Sequence, residues 1–177
     1  ISYWHLGSDF KSNLIGPIKT KKIQTNSNDF KSFLSVGTLE PRKGYKLIIE
    51  AFERLWCQGL NCKLTILGRP GWKSEDLVKK IKNHHEFGQK LFWLEDANDK
   101  TLLKTYELTD AIICASYAEG FGLPIVEAAK FKKSIIASDI PVFREVASDT
   151  DVSFFDVGSS KSLSLKIKEF LGRPDNF

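Results

Sequence analysis

Arg42 and Lys43 are adjacent cations in a loop that runs into a predicted helix, and this placement suits an anionic ligand. The dipole of a helix disfavours each cation at its N-terminus by roughly 0.3–1 kcal/mol. Two adjacent cations are explained if an anion, for which a diphosphate would be suitable, bridges them to the first N–H groups of the helix. The alternative is that both side chains are simply solvated on an exposed loop.

Two carboxylates flank a second loop, which contains Gly120-Phe121-Gly122. Glu127 falls in about the first turn of the following helix, where a carboxylate complements the dipole, so a structural role is sufficient to explain it. Glu119 precedes the glycines, shows no packing role, and is suited to accept hydrogen bonds from ligand hydroxyls. Carboxylates for hydroxyls beside cations for phosphates indicate a ligand with sugar and diphosphate parts. Acid–base roles for the two carboxylates stay open.

Short apolar runs alternate along the chain with segments that have apolar residues at helical spacing. This alternation predicts an α/β, Rossmann-like fold with a doubly wound, parallel, six-stranded sheet in the order 3-2-1-4-5-6 and helices on both faces. We expect Ser74 and Asp99 to cap the second and third helices. The predicted strands are 33–37, 62–68, 91–94, 112–115, 134–137 and 152–155, and the predicted helices are 47–56, 74–81, 99–108, 123–131, 143–146 and 163–171.

The strand order predicts that the two loops meet. Strands one and four are neighbours in that order, and the carboxyl ends of parallel strands lie at the same edge of the sheet. Loops 37–44 and 116–122 leave those two ends, so both are expected to line one crevice.

Composition and motifs exclude several classes of protein. The chain has 177 residues and a formal net charge of +4, without the dense Lys/Arg stripe that a nucleic-acid-binding protein shows. Neither G-x-x-x-x-G-K-[ST] nor G-x-G-x-x-G follows the first strand, which argues against a P-loop ATPase and a dinucleotide-dependent dehydrogenase. Three cysteines without disulfide spacing favour a reducing, cytoplasmic location. The three histidines show no spacing typical of a metal site, so no metal is expected.

Three segments carry a resemblance to a known family. They are Val36-Gly37-Thr38-Leu39-Glu40-Pro41-Arg42-Lys43-Gly44 with its following helix, Glu119-Gly120-Phe121-Gly122-Leu123-Pro124-Ile125-Val126-Glu127-Ala128, and Ser134-Ile135-Ile136-Ala137-Ser138-Asp139-Ile140-Pro141 with Glu145. In this order and over nearly the whole domain, the chain resembles the C-terminal, donor-binding half of GT-B glycosyltransferases, specifically the retaining family-four group (glycosyl transferases group 1).

The resemblance implies retaining transfer of a sugar from a nucleoside-diphosphate sugar, without a metal or other cofactor. Lys43 and Arg42 would neutralise the diphosphate leaving group, Glu119 would orient hydroxyls of the donor sugar, and Glu127 would hold the ribose. A front-side mechanism, in which the leaving phosphate accepts the acceptor's proton, would require no nucleophilic side chain. The further donor-binding residues implied are Gly37, Thr38, Gly120, Phe121, Gly122 and Leu123, with backbone N–H groups at Phe121 and Gly122 facing sugar or phosphate.

One departure from the family pattern bears on the donor. Many members carry Arg directly after the glycine of the first loop, where this chain has Thr38. The subgroup with Thr at that position and an E-P-R-K sequence resembles the mannosyltransferases of polysaccharide assembly, and Arg42 would supply the missing charge. GDP-mannose is therefore the favoured donor, a UDP-sugar stays open, and the implied acceptor is a glycan or a lipid-linked glycan.

The resemblance also implies a domain organisation. Residues 1–30 are expected to connect to an N-terminal acceptor-binding domain outside this chain, residues 31–171 to form the donor-binding domain, and residues 172–177 to form a tail. Peripheral association of the full-length protein with the inner face of a membrane is compatible with it, and the fragment alone is expected to be inactive. Two alternatives are half of a nucleotide-sugar epimerase and a non-catalytic nucleotide-sugar-binding module.

Overall fold

A six-stranded, all-parallel sheet forms the centre of the protein, as the sequence predicts. A computed structural model describes residues 30–147 and 151–173. The order of the strands is β3-β2-β1-β4-β5-β6, which confirms the predicted doubly wound topology. The strands are β1 (Lys31–Val36), β2 (Cys62–Leu67), β3 (Leu91–Leu94), β4 (Ala111–Cys114), β5 (Ser134–Ser138) and β6 (Val152–Phe155). The helices are α1 (Tyr45–Cys57), α2 (Glu75–Lys82), α3 (Asp99–Leu108), α4 (Leu123–Lys130), α5 (Pro141–Val146) and α6 (Ser160–Leu171).

Helices cover both faces of the sheet, and successive strand residues are buried on opposite sides. Phe33 packs in a cluster with residues of α1, α2 and α6, whereas the next residue, Leu34, packs with residues of α3, α4 and α5. This alternation follows from the two-residue period of a strand, which points neighbouring side chains to opposite faces. Because both faces are buried, the strands read as continuous apolar runs, which is why they were recognisable in the sequence.

Three helices begin earlier than their apolar pattern indicates. A single turn of 3-10 helix at Pro41–Lys43 ends at Gly44, and α1 starts at Tyr45 rather than at residue 47. Helix α5 starts at Pro141, and α6 starts at Ser160. Apolar spacing reports only the buried face of a helix, so the polar first turn of α6, residues 160–162, escapes it.

Of the two predicted helix caps, the position of the first is confirmed and the second is wrong. Ser74 is the N-cap residue of α2, but its hydroxyl does not bond the first turn and donates instead to the carbonyl of Gly71 at 2.8 Å. Helix α3 is capped by Asn98, whose side-chain oxygen accepts a hydrogen bond from the N–H of Thr101 at 2.8 Å, and Asp99 is its first residue. Asx and Ser side chains compete for the same backbone donors, and the tertiary loop geometry decides which one is in reach.

The predicted interdomain segment and tail lie almost wholly outside the described residues. Phe30 is exposed and has the Lys63 ammonium 4.7 Å from its ring centroid, while residues 1–29 and 174–177 are not described. In the described ranges the longest helix is α1, with 13 residues, and no helix there is long and apolar enough to cross a bilayer.

Candidate functional site

The loops that follow β1 and β4 meet at the carboxyl edge of the sheet, as predicted. Strands β1 and β4 are hydrogen-bonded neighbours, and the N–H of Tyr117 donates to the carbonyl of Arg42 at 2.8 Å. Gly44 packs so closely on β4 that a Cβ built on it would lie 2.1 Å from the carbonyl oxygen of Ala115. Its φ of 70° is left-handed as well, so this junction requires glycine on two counts.

Glu119 joins the two loops through a cluster of charged hydrogen bonds. Its Oε1 accepts from the Lys43 ammonium at 2.5 Å and from the Ser116 hydroxyl at 2.6 Å, and its Oε2 accepts from Arg42 Nη1 at 3.2 Å. The Glu119 side chain is 9% exposed, that of Lys43 14% and that of Arg42 50%. Glu119 therefore has a structural role that the sequence did not indicate, since its carboxylate forms ion pairs with both cations.

Two members of this cluster were missed in the sequence. Ser116 lies three residues before Glu119 and is 2% exposed, and Glu40 accepts from Arg42 Nε at 2.9 Å. Both belong to the quoted loops, and their closeness in sequence to the predicted site residues was the available signal. Glu40 orients Arg42 and Ser116 orients Glu119, because each of these hydrogen bonds restricts the rotamers of a long side chain.

The cluster keeps Glu119 ionised. Burial by itself would raise the pKa of Glu119, but the hydrogen bonds from Lys43 and Ser116 and the charge of Arg42 outweigh it, so the pKa lies below its ordinary value. Beneath the cluster, burial raises the pKa of the Cys114 thiol to about 12. The site thus holds a carboxylate anion above a neutral thiol, and Cys114 is not a nucleophile at neutral pH.

Tyr45 supports the floor of the site. Its hydroxyl donates to the carbonyl of Gly37 at 2.6 Å, and burial raises its pKa far above the ordinary value. The Lys43 side chain passes over Gly37, since a Cβ built there would lie 3.9 Å from the Lys43 ammonium. The predicted first-loop residue Gly37 consequently lies beside Lys43, whereas Thr38 is exposed and its methyl group lies next to Gly71.

The glycine loop before α4 is open to solvent. Gly122 has a φ of 64° and forms the N-cap of α4, and a Cβ on it would lie 2.8 Å from a methyl group of Val146. Phe121 is 81% exposed, Leu123 is 56% exposed, and Gly120 has no atom within 4 Å of a built Cβ. At the start of α4, Pro124 has no N–H, and the N–H groups of Ile125 and Val126 donate to the Gly122 carbonyl at 3.0 and 3.4 Å.

Glu127 forms no direct hydrogen bond or ion pair with the charged cluster in the part of the chain that the structure describes. Helix α4 begins at Leu123, so Glu127 lies in its second turn and does not complement the N-terminus of the helix in the way the sequence suggested. It is exposed and makes no hydrogen bond or ion pair with any other residue of the described ranges. After burial itself, the charge of Glu127 raises the pKa of Tyr106 and also contributes to the raised pKa of Cys114, so this carboxylate acts on buried groups of both α3 and β4.

A larger groove lies on the outer side of the 3-10 turn, and sequence reasoning did not find it. Its volume is about 610 Å³, and a separate space of about 10 Å³, room for roughly one water, lies between Lys43 and Ser116. Residues that line the groove include Glu40, Pro41, Lys46, Lys73, Asp76 and Tyr117.

In the described ranges no group of three or more His, Cys, Asp or Glu side chains could hold a metal ion.

Solved structures share this fold. The C-terminal domain of a glycosyl transferase group 1 family protein, LpcC from Francisella tularensis, superposes with a TM-score of 0.70 at 22% identity, over 81% of this chain and 76% of that one. Anabaena Alr3699/HepE, solved in complex with UDP and glucose, superposes with a TM-score of 0.68 at 21% identity, over 81% of this chain and 39% of that one.

The sequence comparisons establish the family. The serotype-specific mannosyltransferase WbdA from Escherichia coli is 41% identical over 84% of this chain, which spans only about a fifth (19%) of that relative's length. The model of the family described as glycosyl transferases group 1 matches residues 18–176, nearly the whole chain. The chain, with its GT-B-type Rossmann-like fold and its charged cluster between β1 and β4, belongs to the glycosyl transferases group 1 family.

Proposed function

We propose that the chain is the donor-binding domain of a retaining, metal-independent mannosyltransferase. The enzyme transfers mannose from a nucleoside-diphosphate sugar to a glycan or lipid-linked acceptor in polysaccharide assembly. GDP-mannose is the favoured donor, and a UDP-sugar is the second candidate. The observation that carries this proposal is the cluster of Arg42, Lys43 and Glu119 at the switch point of the sheet, where doubly wound folds bind their ligands.

In the proposed complex, the two cations hold the diphosphate. Lys43 and Arg42 already converge on one carboxylate, with 2.5 Å and 3.2 Å contacts to Glu119. A diphosphate carries more negative charge than a carboxylate and competes for the same donors. As the bond to the sugar breaks, charge accumulates on the departing phosphate, and these fixed cations stabilise it where other enzymes use a metal. The phosphate accepts the acceptor's proton in the front-side mechanism, so no nucleophilic side chain is needed.

Glu119 binds the donor sugar once Arg42 and Lys43 have bound the diphosphate. Its carboxylate oxygens then accept hydrogen bonds from sugar hydroxyls, while Ser116 keeps its orientation through the 2.6 Å hydrogen bond. The backbone N–H groups of Phe121 and Gly122 face the sugar or phosphate, with the N-terminus of α4 behind them. Glu127, exposed and unpaired in the described ranges, is available to the ribose hydroxyls.

The relatives support the choice of sugar and leave two nucleotides in competition. WbdA is a mannosyltransferase, which favours mannose, and Alr3699/HepE holds UDP, which keeps a UDP-sugar as the second candidate. The remainder of the acceptor site belongs to an N-terminal acceptor-binding domain outside this chain, which spans about a fifth of WbdA. On this proposal the chain binds the donor weakly by itself and acts with a cytoplasmic partner domain, with the whole enzyme associating with the inner face of a membrane.

A binding panel tests the proposed donor. Thermal unfolding and calorimetry are measured with GDP-mannose, a UDP-sugar and an ADP-sugar. A ligand of the folded state adds about 2.7 kcal/mol of stability at a hundredfold excess over its dissociation constant.

We expect Lys43→Ala to weaken binding of GDP-mannose about tenfold or more, because a charged hydrogen bond to the phosphate is lost. The matched control is Lys79→Ala, which removes an exposed lysine of α2 away from the site. Equal binding by wild type and Lys43→Ala contradicts the proposal, and equal stabilisation by all three sugars contradicts GDP-mannose.

Replacing Glu119 separates an enzyme from a binding module. In a protein that contains both domains, Glu119→Ala is expected to abolish sugar transfer while GDP binding survives, since the cations remain and lose a competitor. Unchanged transfer would contradict the role of Glu119. If the variant loses both GDP binding and sugar transfer, Glu119 only maintains the shape of the site.

A further inference from the structure

We infer that the outer groove, the cavity between the 3-10 turn, the start of α1 and α2, binds the hydroxyl-rich end of the acceptor glycan. This inference rests on the proposed function and assigns the groove as an acceptor subsite on the donor-binding domain. The groove has a volume of about 610 Å³, within the range of about 300–1,000 Å³ that small-molecule sites occupy.

Direct contacts connect the groove to the donor site. Glu40 lines the groove and also accepts a hydrogen bond from Arg42 Nε at 2.9 Å, and Arg42 in turn donates to Glu119 at 3.2 Å. On the other wall, Tyr117 stands two residues before Glu119, and its N–H donates to the Arg42 carbonyl at 2.8 Å. A ligand held by Glu40 and Tyr117 therefore lies next to the residues proposed to carry the sugar and the diphosphate.

The lining of the groove offers charged donors and acceptors that the hydroxyl groups of a polyol can use. Lys46, Lys73 and Lys80 line it together with Glu40 and Asp76, so donors and acceptors of both signs are present. Lys80 is 3.3 Å from Glu53, outside the groove, and Asp76 makes no hydrogen bond or ion pair within the described ranges. The carboxylate of Asp76 is therefore available to accept hydrogen bonds from the hydroxyls of a ligand.

An exposed aromatic ring completes the match to a carbohydrate. Tyr117 is 47% exposed, and its ring rests near Gly158, where a built Cβ would lie 3.4 Å from a ring carbon. A tyrosine held in this way offers an apolar face and a hydroxyl at one position. The C–H face of a sugar ring packs against such an apolar face, and the sugar hydroxyls form hydrogen bonds with the tyrosine hydroxyl.

The test is an amide chemical-shift titration of this chain with a mannose disaccharide, followed by GDP-mannose. We expect the disaccharide to shift the amides of Asp76 and Tyr117 and GDP-mannose to shift those of Lys43 and Gly122. Asp76→Asn should weaken disaccharide binding about tenfold, the effect of losing one charged hydrogen bond, and leave GDP-mannose binding unchanged. Glu75→Gln is the matched control, because it removes a neighbouring carboxylate of the same helical turn that does not line the groove.

The outcomes separate this inference from the proposed function. GDP-mannose binding that depends on Lys43, with no effect of the disaccharide on the groove, overturns the inference and leaves the proposed donor site intact. A shift of the Asp76 amide by GDP-mannose as large as that of the Lys43 amide overturns it too, because the groove then belongs to the donor. Equal weakening by Asp76→Asn and Glu75→Gln overturns a specific contact. Disaccharide binding in the groove without binding of any nucleotide sugar overturns the acceptor assignment and the proposed function together.

Discussion

Replacing Glu119 with Gln removes a charge but keeps the shape of the side chain, so it isolates the electrostatic part of the cluster. In the native protein, Lys43 lies 2.5 Å from the carboxylate and its side chain is 14% exposed. In the variant the ammonium faces a neutral amide in the same place. The Ser116 hydroxyl, 2.6 Å from Oε1, is able to donate to the amide oxygen instead, so its contribution is retained.

The expected loss of stability follows from how buried each contact is. A hydrogen bond between charged groups in a partly buried site contributes about 1.5–3 kcal/mol, which applies to Lys43. Arg42 is half exposed, and an exposed ion pair contributes about 0–1 kcal/mol. The free energy of unfolding is therefore expected to fall by about 2–3 kcal/mol, and Tm by roughly 4–12 °C for a domain of this size.

The same contacts predict how this difference depends on pH. Burial would raise the pKa of Glu119, but its hydrogen bonds with Lys43 and Ser116 lower it below the ordinary value in the folded protein. A carboxyl with a depressed folded-state pKa contributes stability above its unfolded pKa of about 4.3 and loses it as pH falls toward the folded pKa. The gap between wild type and Glu119→Gln should be full at pH 7 and should shrink below about pH 4.

Urea denaturation followed by circular dichroism at a series of pH values measures both effects. Glu40→Gln is the control, because Glu40 contacts the half-exposed Arg42 at 2.9 Å and is expected to contribute about 1 kcal/mol or less. A Glu119→Gln variant as stable as wild type at pH 7 would refute the reasoning. So would a gap of the same size at neutral and at acid pH, since it could not come from the ionised carboxylate.

Three further predictions test the packing and the extent of the site. Gly44→Ala should lower the free energy of unfolding by more than about 2 kcal/mol, whereas Gly59→Ala, with a similar φ but open space, should cost about 1 kcal/mol; equal losses in urea denaturation would contradict the close approach to β4. Alkylation of the native protein should label the exposed Cys57 and spare Cys62 and Cys114, whose burial raises both pKa values to about 12; uniform labelling by mass spectrometry would contradict this burial. This chain alone should transfer no sugar from GDP-mannose in a coupled assay, and measurable transfer would show that the acceptor site is complete within it.

The strands and their order were predictable because two simple rules act on them. Residues of a strand buried on both faces form continuous apolar runs, and right-handed crossovers restrict the order in which parallel strands assemble. The starts and caps of the helices were harder to predict from the sequence. Asn98 rather than Asp99 caps α3, and α1 begins behind Gly44, because these ends depend on which backbone donors a loop brings within reach.

The sequence by itself determined that Arg42, Lys43 and Glu119 would meet, because the topology places the loops after β1 and β4 at the same edge and the glycines allow close approach. Only the tertiary structure decided how they meet. Glu119 is 76 residues from Lys43, and whether the two form a hydrogen bond depends on strand register and rotamers that no local pattern encodes. The same holds for Glu127, which the start of α4 at Leu123 places in the second turn of the helix, and for the outer groove, whose walls come from three separate segments. Local patterns report which face of an element is buried, whereas a site depends on distances between elements, and folding sets those distances.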